Sequence, residues 1–133
     1  MLSREQVWAL ARSVEEYGIA VRRRLHRNPE LSFAEHDTHQ YLAEELQGLG
    51  CSFRSHLAGG TGLHVVLGGT RPGPVVALRA DIDALPIQEE TGLPFASERP
   101  GVMHACGHDA HTAILLATAR ALKSVEQDLP GTV

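Results

Sequence analysis

Only two cysteines occur in the 133 residues, Cys51 and Cys106. That is too few for a disulfide framework, and a reducing, cytoplasmic setting is expected. No apolar run reaches membrane-spanning length, and Met1 to Gly18 carries charges where a secretory leader would be continuously apolar, so no membrane partner is expected. A basic block is missing too. With a formal net charge of −4, the chain has no electrostatic footprint for nucleic acid. Its one local cluster, Arg22-Arg23-Arg24, would fan round a helix as a solvated face. No internal repeat, low-complexity segment or interdomain linker is visible. What remains is 43% hydrophobic and 21% charged, the composition of one globular domain with a modest core.

Helical spacing dominates the first fifty residues. Ser3-Arg4-Glu5-Gln6 has the form of a capping box, and Val7, Leu10, Ala11, Val14, Tyr17, Val21 and Leu25 then predict one long helix, weakened at Gly18 and stopped at Asn28-Pro29. Ser32-Phe33-Ala34-Glu35 reads as a second capping box, opening a helix with Leu42, Leu46 and Leu49 as its seam and Gly50 as its terminator. Cys51 to Leu57 alternates as a strand, with Cys51 as core packing. Leu63 to Leu67 and Val75 to Leu78 are short apolar strands expected to form a hairpin around the glycine- and proline-rich 68–74. Glu89-Glu90 falls in a polar loop and is expected to be solvated. Thr132 and Val133 read as the first residues of a further strand.

Two stretches carry chemistry. Met103-His104-Ala105-Cys106-Gly107-His108-Asp109-Ala110-His111 packs a thiol, three imidazoles and a carboxylate into nine residues at the start of a helix whose apolar stripe is Ala110, Ala113, Ile114, Ala117 and Ala121. Thiolate, neutral imidazole and carboxylate are the groups that hold zinc and its neighbours. Cys106 and His108, one glycine apart, are the candidate metal ligands. His104 and His111 are either supporting or substrate-facing groups or simply structural. Asp109 is expected to cap the helix or orient His108. The second stretch is Arg79-Ala80-Asp81-Ile82-Asp83-Ala84-Leu85-Pro86. Strand alternation would turn Asp81 and Asp83 the same way, toward that cluster, at the strand end where open α/β sheets place their chemistry.

Leu25-His26-Arg27-Asn28-Pro29-Glu30-Leu31, the Arg79–Ile87 segment and Met103–Ala113, taken together in this order and spacing, resemble the M20 metallopeptidase family. More narrowly they resemble its amidohydrolase branch, with hippurate hydrolases, N-acyl-amino-acid and N-acetyldiaminopimelate deacylases and auxin-conjugate hydrolases. The resemblance implies an α/β fold, the N-terminal part of a zinc-exopeptidase-like catalytic domain, with a mixed sheet flanked by helices. Residues 1–133 would hold that part alone, without the lid domain or the rest of the catalytic domain. It implies a centre of two divalent ions, zinc or manganese, cobalt or nickel, with Cys106 and His108 as ligands and Asp81, with Asp83 beside it, as the active-site carboxylate. The family's general base, one of two adjacent glutamates, would lie past Val133.

The function implied is hydrolysis of the amide bond of a small N-acyl amino acid by a metal-activated water, in a full-length protein that pairs as a homodimer. Two other readings stand beside it: a catalytically dead fragment serving as a structural or metal-binding module, and a cysteine hydrolase with Cys106 as nucleophile.

Overall fold

The computed structural model describes residues 2–133. Four helices, α1 (Arg4–Ser13), α2 (Glu15–Arg27), α3 (His36–Gly48) and α4 (His108–Ser124), surround a small sheet that begins with β1 (Phe53–Leu57) and β2 (Gly62–Val65). The α/β class read from the sequence is the class observed. One apolar cluster unites the layers: Val21 and Leu25 of α2, Leu42 and Leu46 of α3, Cys51, Leu67, Ala113 and Leu116 of α4, and Leu129. Burial holds the Cys51 thiol above its ordinary pKa, as suits an inert core cysteine.

The Ser3 capping box forms as read, with the Ser3 and Gln6 side chains each bonding the other's backbone N–H. The long first helix does not. It breaks at Val14, not at Gly18, which lies inside α2. The Ser13 hydroxyl donates to Leu10 O, and the Val14 N–H turns back to Ala11 O and Arg12 O, closing α1 early. None of the residues of α1 is buried, so Val7, Leu10 and Ala11 are not core positions.

The second expected capping box is also replaced. Ser32 lies in a turn, Phe33 adopts φ 62°, and α3 starts at His36. The cap comes from further back: the Glu30 carboxylate accepts from the backbone N–H groups of Asp37 (3.1 Å) and Thr38 (2.7 Å). A buried carboxylate satisfies the orphan donors and the positive end of the helix dipole together. At the other end the expected terminator holds. Gly50 sits at φ 69°, its N–H reaching Gln47 O and that of Cys51 reaching Leu46 O, a Schellman closure.

β1 and β2 pair antiparallel, Phe53 opposite Val65 and Arg54 opposite His64, with an irregularity before the Leu57–Gly62 pair. The expected hairpin between 63–67 and 75–78 is absent because another segment lies between them. Leu67 and Val133 exchange both backbone hydrogen bonds, Gly69 N–H donates to Gly131 O, Thr132 N–H donates to Pro74 O, and Val76 N–H to Thr132 O. Thr132 thus bridges Gly68 in antiparallel sense and Val75 in parallel sense, giving a mixed pairing. The approach is close enough to require glycine. A Cβ on Gly131, which sits at φ 81°, would lie 2.0 Å from Pro74 O, and one on Gly73 would lie 2.5 Å from Gly131 N. Past Val76 the chain runs through 77–83 without ladder partners, and Val75, Val76 and Leu78 are exposed.

Helix α4 buries Asp109, Thr112, Ala113, Leu116 and Ala117, whereas Ile114 is 65% exposed. The apolar stripe expected through Ile114 is therefore rotated by about one position. Two polar residues occupy the inner face because each has a partner there: Asp109 meets α2, and the Thr112 hydroxyl donates to Asp81 O at 2.9 Å.

Candidate functional site

Backbone contacts draw the three sequence motifs into one unit. Ala84 N–H donates to Glu30 O at 2.7 Å, and Leu31 bridges Ala84 in parallel sense. Leu85 and Met103 exchange both backbone hydrogen bonds at 2.9 and 3.0 Å. Asp83 is thereby set beside the segment that enters α4. That segment turns at Gly107, φ 88°, where a Cβ would meet nothing within 4 Å, so the glycine answers to the backbone conformation and not to crowding.

The turn delivers His108 to Asp83. Its Nδ1 lies 2.9 Å from Asp83 Oδ1 and 3.0 Å from Asp83 O. Both partners are acceptors, so Nδ1 carries the hydrogen, and in the neutral ring Nε2 presents its lone pair. A carboxylate behind an imidazole is the arrangement that fixes tautomer and ring direction for metal ligation. Cys106 is free and exposed, one residue before the turn. His111 is exposed on the first turn of α4, its ring centroid 6.2 Å from that of His108.

Asp81 stands apart from this pair. Alternation does not carry through 79–83, and the Asp81 carboxylate, half exposed, bonds Arg79 Nη2 at 2.6 Å. The structure brings Asp83 and His108 together and leaves Asp81 and Cys106 outside that hydrogen bond. No group of three or more His, Cys, Asp or Glu side chains suited to one metal ion occurs among the described residues.

Asp109 neither caps the helix nor touches His108. It is fully buried and turns back to α2, where its Oδ2 meets His26 Nδ1 at 2.8 Å and Arg22 Nε at 3.3 Å. His26 Nε2 in turn faces Glu89 Oε1 at 3.1 Å. The expectation of a solvated Glu89 is wrong: its side chain is 2% exposed. Burial opposes its charge, but hydrogen bonds from Thr91, the Ser97 N–H and His26 prevail and hold its carboxyl below the ordinary range. The arginine run is likewise not merely solvated. Arg22 reaches Asp109, Arg23 covers Phe95 at 5.4 Å and Arg24 covers Tyr41 at 4.4 Å. His104 is buried with both ring nitrogens unpartnered, and desolvation lowers its pKa, so its neutral form is favoured.

Sequence reasoning missed His26, Glu30 and Glu89 as the polar frame behind the site. The signal available was that His26 and Glu30 fall within the Leu25–Leu31 motif. Nothing local marked Glu89.

Comparison with known proteins bears on the family and the fold. A model of peptidase family M20/M25/M40 matches residues 77–133. The N-acyl-L-amino acid amidohydrolase of Geobacillus stearothermophilus is 48% identical over 132 residues, 99% of this chain and 35% of that protein. The IAA-amino acid hydrolase ILR1-like 5 of Arabidopsis thaliana is 48% identical over 120 residues, 89% of this chain and 27% of that protein. Among solved structures, the YXEP protein of Bacillus subtilis, described as a dinuclear metal-binding peptidase from the M20 family, superposes with a TM-score of 0.85. It is 45% identical over 92% of this chain and 34% of its own. The chain thus spans about a third of the length of the relatives it matches. Residues 77–133 thus match peptidase family M20/M25/M40, and nearly the whole chain is similar to about a third of the length of proteins named as amidohydrolases.

Proposed function

We propose that this chain is the N-terminal part of the catalytic domain of a metal-dependent amidohydrolase that cleaves N-acyl amino acids or related small conjugates. The observation that carries the reading is the Asp83–His108 pair, which leaves His108 Nε2 free two residues from an exposed cysteine. A soft thiolate and a neutral, carboxylate-backed imidazole suit zinc, manganese, cobalt or nickel. Cys106 and His108 are the proposed ligands. Asp83 holds the His108 ring, and Asp81, paired with Arg79, is proposed as the second active-site carboxylate.

Two bound divalent ions would supply Lewis acidity for the scissile carbonyl and lower the pKa of the attacking water. The glutamate base and the remaining ligands are assigned to chain beyond Val133, together with the lid domain that would set substrate specificity and pair two subunits. We assign the protein to the cytoplasm; no helix among the described residues is long and apolar enough to cross a membrane.

The test compares this chain with one extended past Val133, measuring metal content and turnover of a panel of N-acyl amino acids with added zinc, manganese or cobalt. The extended chain is expected to hold metal and to hydrolyse at least one substrate, and Cys106→Ser to lower both. Unchanged metal content in that variant would remove Cys106 from the ligand set. Hydrolysis that persists in chelator would revive the cysteine-nucleophile reading. A second reading, that these residues alone make a non-catalytic module, draws support from the short ligand set they bring together. It predicts no turnover by the 133-residue chain or by the extended one.

A further inference from the structure

A pair of imidazoles lies on a different element from the site above. His39, on α3, is buried at 7% exposure, and His56, on β1, is exposed. Their ring centroids are 4.7 Å apart and their planes are inclined by 34°.

His56 lies at an irregularity in the strand. The register of β1 and β2 shifts between Arg54 and Leu57, and His56 itself sits at φ 57°. A left-handed backbone at a non-glycine residue is uncommon, yet exposure still alternates along β1 and leaves His56 on the open face with Arg54. On that face its ring stacks on His39.

Each ring is also fixed from behind. His39 Nδ1 lies 2.9 Å from Thr61 O, and His56 Nδ1 lies 3.1 Å from Gly60 O. A carbonyl only accepts, so both Nδ1 atoms carry the hydrogen, and in the neutral rings both Nε2 atoms keep a lone pair. Neither Nε2 has a hydrogen-bond partner among the described residues. Nδ1–H donated to a backbone carbonyl with Nε2 free is the state in which imidazole binds metals. The two carbonyls come from adjacent residues of one turn, so the β1–β2 connection orients both rings together.

We infer that His39 and His56 form a second, surface site for a divalent transition metal, separate from Cys106 and His108. With two imidazole ligands and water completing the sphere, preference follows the general order of nitrogen sites, copper above nickel and zinc. To meet an ion shared with His39, the exposed His56 ring turns within its broad χ2 well and gives up its hydrogen bond to Gly60 O, while buried His39 stays fixed.

The probe is Cu2+ alone, titrated into the 15N-labelled 133-residue chain and followed by paramagnetic broadening of amide signals. Broadening is expected first around His39, His56, Gly60 and Thr61. Two ligands held together should bind about tenfold or more tightly than the single imidazole left in His56→Gln. His56→Gln, at an exposed position, should raise the Cu2+ concentration needed to broaden that patch about tenfold or more, with the rest of the spectrum unchanged. His39→Gln should do the same; if it unfolds the chain, His56→Gln alone decides. Broadening near 39, 56 and 60–61 that is unaffected by His56→Gln overturns the proposal. Binding at Cys106 and His108 would appear at residues 106–111, so the two sites are read independently.

Discussion

Replacing Glu30 by alanine tests whether one carboxylate starts α3 from outside the helix. The substitution removes the acceptor from the Asp37 and Thr38 N–H groups and from Arg99 Nη1 at 3.2 Å. Loss of an N-cap costs ~0.5–2 kcal/mol. Thr38 is 3% exposed, so its N–H would be left unpaired away from water, adding ~1–3 kcal/mol. Arg99 is more than a third exposed, and its ion pair adds under ~1 kcal/mol. The terms overlap, and a total of about 2–4 kcal/mol is expected. With a urea slope of ~1–3 kcal/mol/M, the unfolding midpoint should fall by roughly 1–2 M. Glu30→Gln, which keeps one oxygen acceptor, should lose about half as much. Glu44→Ala, on the exposed face of the same helix, should stay within ~0.5 kcal/mol of the parent. A Glu30→Ala midpoint indistinguishable from that of Glu44→Ala would refute the assignment of the cap.

Alkaline stability should decline through two tyrosines. Burial and the hydrogen bond to Glu45 push Tyr17 above the ordinary phenol range, and burial with the Glu45 charge pushes Tyr41 up to about 12. The folded state holds these protons more tightly than the unfolded one, so their contribution is complete below pH 10 and is lost as pH rises through about 12. Urea midpoints at pH 8 and pH 11 should differ less in Tyr17→Phe than in the parent. In a chain extended past Val133, Asp83→Ala should weaken metal binding by about 10–100-fold by freeing the His108 ring, measured by competition with a chelator. Unchanged affinity would show that Asp83 does not orient the ligand. Gly131→Ala should expel 130–133 from between its neighbours, because the added Cβ collides with Pro74 O. Hydrogen exchange at Leu67, Gly69 and Val76 should accelerate, and unchanged protection would contradict the close approach.

The sequence was most legible where order is local. The Ser3 box, the Gly50 terminator, the β1 alternation and the start of α4 all follow from residues within a few positions of one another. It misled where a distant group took over. Ser32 lost its capping role to Glu30, and the Val75–Leu78 partner strand was displaced by 130–133. The Ile114 stripe rotated because Asp109 and Thr112 found polar partners inside. Of the site, the Asp83–His108 pairing was anticipated only as a shared direction. The turn of Asp109 toward His26 was invisible, since nothing in the spacing of 104–111 says what α2 carries.

Sheet order in this chain does not follow chain order, because residues 130–133 lie between 67–69 and 74–76. In kinetic terms the molecule must leave a gap and return to it. The helices and the β1–β2 turn close short loops and can form early. The Leu67–Val133 pair closes a loop of roughly 65 residues, an entropic cost of about 3–4 kcal/mol by loop-closure scaling before any contact offsets it. Until that late pairing, Leu67, Gly69 and Val76 have no ladder partner, and the exposed Val75 and Leu78 flank an edge that other chains can recognise. The interval before Gly131 docks against Pro74 is therefore the stage at which folding and aggregation compete.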